Sequence, residues 1–164
     1  MNTKELKYDI IVCKPGELPE EYEKLLKAAH VATSRAYAPY SKFKVGAAVL
    51  LEDGSVVLGA NQENASYPVG VCAERVAITS ASAQHPRVPV RAVAISVKGK
   101  DIEVNTPVSP CGICRQTILE YELTQGKDIE LILQGETGDV FWVPSAKTLL
   151  PLYFSGVDME SNNV

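Results

Sequence analysis

The length, composition and charge of the chain exclude several classes of protein. A chain of 164 residues with 46% hydrophobic residues is long enough to bury one sizeable core, so we expect a single domain. The formal net charge of −4 at pH 7 argues against a nucleic-acid partner, because such proteins concentrate lysine and arginine on one face. No run of 18 apolar residues is present and residues 1–8 lack the apolar core of a signal peptide, so we expect a cytoplasmic protein without a membrane partner.

The first half of the chain predicts one helix followed by a β-hairpin. Apolar residues recur at helical spacing over residues 19–36 and the pattern stops before Pro39, which predicts a helix over this range. Two β-rich runs follow at residues 45–51 and 56–61. The pair Asp53-Gly54 between these runs is a strong hairpin signal, so we expect antiparallel neighbouring strands.

The second half of the chain predicts strands that alternate with helices. The predicted elements are, in chain order, residues 72–84 (helix), 92–97 (strand), 111–121 (helix), 129–134 (strand), 140–144 (strand) and 145–150 (short helix). Alternation of this kind predicts an α/β layered fold. We place residues 1–18 in an N-terminal extension and residues 19–164 in a single domain.

Three cysteines fall where two of the predicted helices begin. Cys111 and Cys114 are three residues apart, so on the first turn of a helix both thiols lie on one face and one metal ion can bridge them. Cys72 begins the preceding helix. The N-terminal end of a helix carries partial positive charge, which favours the thiolate that a metal requires. Three thiolates leave a tetrahedral zinc ion one open position, as in a reactive rather than a structural zinc site.

The spacing alone leaves other interpretations of the cysteines open. Cys-x-x-Cys is also the dithiol motif of redox proteins. Cys13 lies in an apolar run and is expected to be a core or sheet cysteine, although it keeps open a structural zinc site with four cysteines. The two histidines, His30 and His85, are expected on a helix face or at the surface rather than at a metal.

Two charged residues, Glu74 and Arg75, lie close behind Cys72 in the sequence. Beside a zinc ion the Glu74 carboxylate is expected to act as general acid and base, provided that Cys72 lies at an irregular helix start. The alternative is that Glu74 only complements the positive end of the helix. The Arg75 guanidinium is expected to donate to a cysteine sulfur and so withdraw charge from the metal, and the alternative is an ordinary surface arginine.

Polar and aromatic residues around the hairpin are candidates for substrate contacts. Asn61 and Glu63 follow a predicted strand with one residue between them, so both side chains are directed to one side and could bind vicinal hydroxyls. The spacing alone favours turn capping by Asn61 and a solvated Glu63. Phe43 and Tyr67 are, by pattern alone, more typical of core aromatics. Residues 149–154 could be core or an exposed apolar patch that pairs subunits.

Six short motifs follow one another along most of the chain. They are Tyr40-Ser41-Lys42-Phe43, Asn61-Gln62-Glu63-Asn64, Tyr67-Pro68, Cys72-Ala73-Glu74-Arg75, the run from Pro110 to Gln116, and Leu149-Leu150-Pro151. In this order they resemble the short-chain, zinc-dependent, homotetrameric cytidine deaminases of the cytidine/deoxycytidylate deaminase superfamily, whose zinc signature includes Pro-Cys-x-x-Cys. Cys72 stands where other branches of that superfamily carry histidine.

The resemblance implies a fold, a cofactor and a catalytic group. The implied fold has three layers, α-β-α, with a mixed central sheet of about five strands. The implied cofactor is one Zn²⁺ per subunit, held by Cys72, Cys111 and Cys114. The resemblance further implies that Glu74 moves protons between water and substrate.

The resemblance also implies how a nucleoside is bound. Asn61 and Glu63 would contact the sugar hydroxyls, and Phe43 would stack on the pyrimidine ring. Tyr67 and Phe154 would complete pockets across the interfaces of a homotetramer with shared active sites.

The activity implied by the resemblance is hydrolytic deamination of cytidine and deoxycytidine, which gives uridine or deoxyuridine and ammonia in pyrimidine salvage. The expected partner is a small pyrimidine nucleoside and not a nucleic acid. A related aminopyrimidine nucleoside such as blasticidin S is the alternative substrate. A structural zinc protein or a redox dithiol protein without catalysis is the alternative from a different class.

Overall fold

The computed structural model describes residues 1–156 and residue 159. The last part of the predicted single domain, residues 157, 158 and 160–164, lies outside the described residues. Within the described part, no helix is both long enough and apolar enough to cross a membrane.

A mixed sheet of six strands forms the centre of the described chain. Its strands are β1 (Ile11–Cys13), β2 (Lys44–Leu51), β3 (Val56–Ala60), β4 (Val90–Lys98), β5 (Glu130–Gln134) and β6 (Val140–Val143), in the spatial order β1-β6-β5-β4-β2-β3. The pair β4 and β5 is parallel and the other neighbours are antiparallel. The predicted hairpin is confirmed, since β2 and β3 pair directly. The sheet therefore agrees with the predicted fold class.

The expected number of about five strands is wrong by one, because β1 also joins the sheet. Its residue Ile11 pairs with Trp142 and its residue Cys13 pairs with Val140. This strand lies within the segment predicted to be an extension. It is three residues long with only Cys13 buried, so it lacks the run of alternating apolar residues that predicts a strand.

Three helices cover the two faces of this sheet. They are α1 (Glu20–Ala32), α2 (Ala73–Gln84) and α3 (Gly112–Gln125). The apolar side of α1 packs on one face, where Ala92 and Ala94 of β4 point. Both other helices pack on the opposite face, where Val93 and Ile95 of the same strand point. Successive residues of a strand alternate between faces, so one sheet supports two cores and the three-layer α-β-α prediction is confirmed.

The helix boundaries differ from the predicted ones at three places. The first helix ends at Ala32 rather than at residue 36, and the 3-10 turn Thr33–Arg35 follows it. Helix α3 continues past residue 121 to Gln125 and is capped by Gly126, which has a φ of 66°. Glycine adopts this left-handed conformation without strain, so it is a common helix end. The predicted final helix is a 3-10 turn, Ala146–Leu149.

A glycine in β3 sets the distance between the sheet and the start of α2. A Cβ atom at Gly59 would lie 2.4 Å from the carbonyl oxygen of Ala73 and 2.4 Å from the backbone nitrogen of Ala77. Only glycine permits this approach, because the first turn of α2 lies directly on the strand. Gly59 therefore positions the helix end that carries Cys72 and Glu74.

Candidate zinc and catalytic site

The N-terminal ends of α2 and α3 meet at one place. Cys72 is the N-cap of α2, with an extended backbone at φ −71° and ψ 152°, and Cys111 is the N-cap of α3 at φ −68° and ψ 168°. Neither side chain makes a capping hydrogen bond. Both thiols therefore remain free to bind a ligand, and two positive helix ends favour anions there. Cys72 lies outside the regular helix, as a contact between Glu74 and a metal requires.

The three predicted cysteines form one cluster with the dimensions of a metal site. Their sulfur atoms all lie within 4.8 Å of one another, and the Sγ atom of Cys111 is 3.9 Å from that of Cys72 and 3.5 Å from that of Cys114. A tetrahedral zinc ion with Zn–S distances of about 2.3 Å places its sulfurs about 3.8 Å apart. The cysteine cluster therefore fits one zinc ion, and thiolates are ligands that zinc prefers.

The three thiols of the cysteine cluster influence one another's protonation. Contact with the Cys114 thiol lowers the pKa of Cys72 to about 6, against the opposing effects of burial and of the Glu74 charge. The same contact with Cys72, together with burial, raises the pKa of Cys114. One thiolate therefore forms at the expense of its neighbour when no cation is present. A divalent ion allows all three sulfurs to ionise together.

The Glu74 carboxyl group is buried beside these thiols. The residue is 5% exposed, and its Oε2 atom has no hydrogen-bond partner among the described residues. Burial raises the pKa of Glu74, while its own backbone N–H and the Cys114 thiol partly offset this effect. Buried polar atoms are nearly always hydrogen-bonded, because an unpaired one is costly. The Oε2 atom therefore lacks the hydrogen bond that a purely structural carboxyl group would make.

A cavity of about 560 Å³ opens next to the cysteine cluster. Its lining residues are Tyr40, Ser41, Asn61, Gln62, Glu63, Asn64, Tyr67, Gly70, Val71 and Cys72. This volume is within the range of small-molecule sites. The structure thus brings three of the predicted substrate residues, Asn61, Glu63 and Tyr67, to the same cavity as Cys72, one of the predicted metal ligands. The other two, Phe43 and Phe154, are not among its lining residues.

The side chain of Asn61 holds the backbone around Phe43. Its Oδ1 atom accepts from the backbone N–H of Val45 at 2.8 Å, and its Nδ2 atom donates to the carbonyl oxygen of Phe43 at 3.0 Å. The start of β2 is therefore fixed to the residue that follows the end of β3. Phe43 is half-buried, and its backbone is joined through this connection to Asn61, which lines the cavity.

The side chain of Glu63 binds the turn before Phe43. Its Oε2 atom accepts from the backbone N–H groups of Tyr40 at 2.9 Å and Ser41 at 3.3 Å, and its Oε1 atom accepts from the Ser41 hydroxyl. The Ser41 hydroxyl is the main reason that the pKa of Glu63 is lowered. Glu63 is thus an ionised acceptor at the cavity rather than a freely solvated carboxylate.

Two predicted aromatic contacts lie at the surface. Tyr67 is 75% exposed and makes an edge contact with Tyr40, with 5.9 Å between ring centroids. Phe154 is 60% exposed, and its carbonyl oxygen accepts from the Nε2 atom of Gln116 at 3.0 Å. Both rings therefore present apolar area that no other described residue covers.

The predicted partner of the thiols, Arg75, is half-buried on the first turn of α2. Its positive charge contributes to the lowered pKa of Cys72. Among the described residues it makes no hydrogen bond to a cysteine sulfur. Its influence on the cysteine cluster in this structure is electrostatic.

Arg115 is a positioning residue that could not be identified from the sequence, although it lies within the motif from Pro110 to Gln116. The Nε atom of Arg115 donates to the carbonyl oxygen of Pro110 at 2.8 Å, and its Nη1 atom donates to that of Leu149 at 2.9 Å. It therefore joins the loop before Cys111 to the segment after β6. Backbone acceptors carry no signal in the sequence, so only the fold reveals this connection.

The remaining cysteine and the histidines lie away from the cysteine cluster. Cys13 is buried in the core on the α1 side of the sheet, whereas α2 and α3 lie on the other side, so it supplies no fourth sulfur. His30 lies 3.4 Å from the Ser96 hydroxyl, and His85 lies 3.9 Å from the Asp53 carboxylate. The alternative of a structural site with four cysteines is therefore wrong.

The site has the features of a reactive zinc centre, with three sulfur donors, a buried unpaired carboxyl group and an adjoining cavity. The family model of the cytidine and deoxycytidylate deaminase zinc-binding region matches residues 19–126. The chain belongs to this family, and its metal is zinc. The resemblance stated from the motifs is confirmed.

Known relatives agree with this family over most of the chain. A cytidine deaminase of Halalkalibacterium halodurans is 42% identical over 136 residues, which are 83% of this chain and 96% of the relative. A cytidine deaminase of Sporosarcina psychrophila is 40% identical over 140 residues, or 85% and 96% of the two chains. The crystal structure of cytidine deaminase from Burkholderia pseudomallei superposes with a TM-score of 0.71 at 43% identity, and covers 81% of this chain and 98% of that one.

Proposed function

We propose that this chain is an enzyme that hydrolyses cytidine and deoxycytidine to uridine and deoxyuridine with release of ammonia. The observation that carries the proposal is the buried Oε2 atom of Glu74, which has no partner and lies beside a cluster of three thiols. A carboxyl group used only for structure would be hydrogen-bonded by the chain. A group with a free oxygen at a metal site is suited to bind and move a proton.

Each residue of the cysteine cluster has a defined role in this proposal. Cys72, Cys111 and Cys114 hold the zinc ion. When bound, zinc supplies Lewis-acid chemistry that makes water a nucleophile near neutral pH. The Oε2 atom of Glu74 takes a proton from the attacking water and passes it to the N3 atom of the pyrimidine ring. Glu74 then takes the remaining proton from the hydroxyl group added at C4 and gives it to the amino group as the C4–N bond breaks, so the products are the uracil nucleoside and ammonia.

Arg75 moderates the negative charge of the three thiolates in our proposal. Three thiolates and one divalent ion carry a net charge of −1, and a nearby guanidinium partly restores the Lewis acidity of the metal. The support is the effect of Arg75 on the pKa of Cys72. An Arg75→Ala protein that binds zinc as tightly and reacts as fast as the parent would contradict this role.

We propose that the cavity holds the nucleoside. Asn61 and Glu63 line it and present an amide and an ionised carboxylate, which suit sugar hydroxyls. Phe43 stacks on the pyrimidine ring in this proposal. The acidic net charge of −4 favours a small nucleoside over a nucleic acid.

Tyr67 and Phe154 act across subunit interfaces in our proposal, which includes a homotetramer with shared active sites. The support is the exposed apolar area of both rings, of which Tyr67 lines the cavity, and the similarly exposed Ile113 and Leu152. Residues 19–164 form one catalytic domain in this proposal, with residues 1–18 as an extension. The protein would act in pyrimidine salvage in the cytoplasm.

The fall in ultraviolet absorbance as the amino group is lost tests this function. Zinc-loaded protein is mixed separately with cytidine, deoxycytidine and blasticidin S, and ammonia is measured at the end point. We expect conversion of both nucleosides with one ammonia per product. Conversion of blasticidin S alone would support the related aminopyrimidine substrate. Zinc-loaded protein that converts none of the three would indicate a structural zinc or dithiol protein.

A further inference from the structure

A single hydroxyl group connects two of the proposed substrate contacts. The Ser41 hydroxyl donates to the Oε1 atom of Glu63, and it accepts from the backbone N–H of Phe43 at 3.0 Å. Ser41 lines the cavity beside Glu63. The carboxylate and the aromatic residue therefore share one partner.

The two oxygen atoms of the Glu63 carboxylate are held differently. The Oε2 atom accepts from two backbone N–H groups, those of Tyr40 and Ser41. The Oε1 atom has only the Ser41 hydroxyl as a hydrogen-bond partner among the described residues. Loss of this hydroxyl would leave the carboxylate attached at one oxygen and free to turn about that attachment.

The backbone next to Ser41 has an unusual conformation that keeps this hydroxyl in place. Lys42 has a φ of 58°, in the left-handed region that residues other than glycine rarely adopt. Its N–H donates to the carbonyl oxygen of Ala38 at 3.2 Å, which closes the turn. Residues in such conformations persist where the surrounding contacts require them, often at functional sites.

We propose that Ser41 is a positioning residue that orients the Glu63 carboxylate toward the substrate sugar and couples it to Phe43. This inference rests on the proposed function. Ser41 itself need not touch the substrate. Its hydroxyl restricts the direction in which Oε1 can accept a hydrogen bond from a sugar hydroxyl, so it acts on sugar recognition rather than on the chemical step.

A merely structural role for Ser41 makes a different prediction. If the hydroxyl only stabilised the turn, its loss would weaken every substrate equally. If the Ser41 hydroxyl orients Glu63, its loss weakens binding of a substrate that carries the hydroxyl bound by Glu63. Its loss matters little for an analogue that lacks this hydroxyl.

The test compares the parent with Ser41→Ala, Ser41→Thr and Ser34→Ala on cytidine, 2′-deoxycytidine and 3′-deoxycytidine. Ser34 is an exposed serine whose hydroxyl donates to the carbonyl oxygen of Val31 at 2.8 Å, away from the cavity, so it is the matched control. For Ser41→Ala we expect kcat/KM for cytidine to fall about tenfold, mostly because KM rises. A loss of this size corresponds to one hydrogen bond to an ionised group. For the deoxy analogue that lacks the hydroxyl bound by Glu63, we expect kcat/KM to fall less than about twofold.

Two further readouts separate positioning from folding. Zinc content and melting temperature of Ser41→Ala should match those of the parent, and Ser41→Thr should restore most of the cytidine affinity because it keeps the hydroxyl. A Ser41→Ala protein within about twofold of the parent on cytidine would overturn the inference, as would an equal loss on all three nucleosides.

Failure of this inference can be told apart from failure of the proposed function. Turnover of cytidine by the parent tests the function alone. Calorimetric binding of uridine to the parent and to Ser41→Ala tests the role of Ser41 without any turnover. Weaker binding of uridine by Ser41→Ala, with binding of 2′-deoxyuridine or 3′-deoxyuridine unchanged, supports the role even for an inactive parent, and equal uridine binding or equal weakening of all three overturns it.

Discussion

Two buried glutamates, Glu74 on α2 and Glu122 on α3, differ in whether the chain hydrogen-bonds their carboxyl groups. Glu122 is 1% exposed, and both of its carboxylate oxygens are occupied. Its Oε2 atom accepts from the N–H groups of Ile129 and Ala146 at 2.8 Å each, and its Oε1 atom accepts from the Ser145 hydroxyl at 2.7 Å. It thereby joins the end of α3, the start of β5 and the turn after β6.

Glu74 is nearly as buried, at 5% exposed, but its Oε2 atom has no partner among the described residues. The two residues have the same chemical group in the same layer of the fold. They differ in whether the chain itself satisfies the carboxylate. A satisfied buried carboxylate stabilises the fold, whereas an unsatisfied one beside a metal cluster is retained for a ligand.

The largest expected effect comes from replacement of a proposed zinc ligand. Replacement Cys72→Ala removes one of three sulfurs, so zinc content should fall from one per chain to near zero and cytidine turnover should fall to background. Metal analysis and the absorbance assay measure both quantities. Cys13→Ala is the control, because Cys13 lies in the other core and should leave zinc content unchanged. Full zinc occupancy in Cys72→Ala would break the assignment of the ligands.

Replacement Glu74→Gln should remove activity without removing the fold. Loss of a general acid and base costs about 10² to 10⁴ in rate, and kcat for cytidine should fall by this amount. Zinc content and melting temperature should remain at least at parental values, because no hydrogen bond to Oε2 is lost. Steady-state kinetics, metal analysis and calorimetry on one preparation provide the measurement. A variant that reacts as fast as the parent would exclude Glu74 as the proton carrier.

The matched replacement Glu122→Gln should show the opposite pattern. An amide NH₂ group cannot accept the hydrogen bonds that one carboxylate oxygen accepts, so we expect a loss of about 2 to 4 kcal/mol in the free energy of unfolding. Activity per zinc-loaded folded molecule should stay within about threefold of the parent, since Glu122 touches neither the cysteine cluster nor the cavity. Denaturant unfolding measures the loss of stability, and steady-state kinetics measures the activity. An inactive but fully stable variant would remove the contrast between the two glutamates.

The smallest expected effect concerns Glu63, an accessible and hydrogen-bonded carboxylate. Its pKa lies below the ordinary value of 4.5, mainly because of the Ser41 hydroxyl, so its hydrogen bonds are complete at neutral pH and are lost as pH falls through the folded pKa. Lys42 also lowers this pKa. In Ser41→Ala the pKa rises, so KM for cytidine should begin to increase at a higher pH than in the parent. KM profiles from about pH 4 to 7 test this, with Ser34→Ala expected to follow the parent.

The cysteine cluster could be predicted because its signals are local. Cys111 and Cys114 share one helical turn, and Cys72 with Glu74 occupies another, so spacing and helix starts contain most of the information. The alternation of helices and strands predicted an α/β layered fold for the same reason, whereas the three-layer α-β-α arrangement was implied by the resemblance. The assignment of Asn61 and Glu63 to the substrate was implied only by the resemblance and stays a prediction.

Other features depend on contacts between distant segments. The strand β1 is identified by its pairing with β6, more than a hundred residues later, and its apolar run of three residues is too short to predict a strand by itself. The connection from Ser41 to Glu63 spans 22 residues, and that from Arg115 to Leu149 spans 34. Serine and arginine at exposed or half-exposed positions are common, so only the folded geometry shows what they bind.

X-ray absorption at the zinc edge of the purified protein tests the central claim most directly. The account predicts one zinc per chain with three sulfur neighbours at about 2.3 Å and one oxygen or nitrogen neighbour at about 2.0 Å. This result would place an exchangeable position next to Glu74. A fourth sulfur neighbour, or the absence of stoichiometric zinc in active protein, would contradict the account.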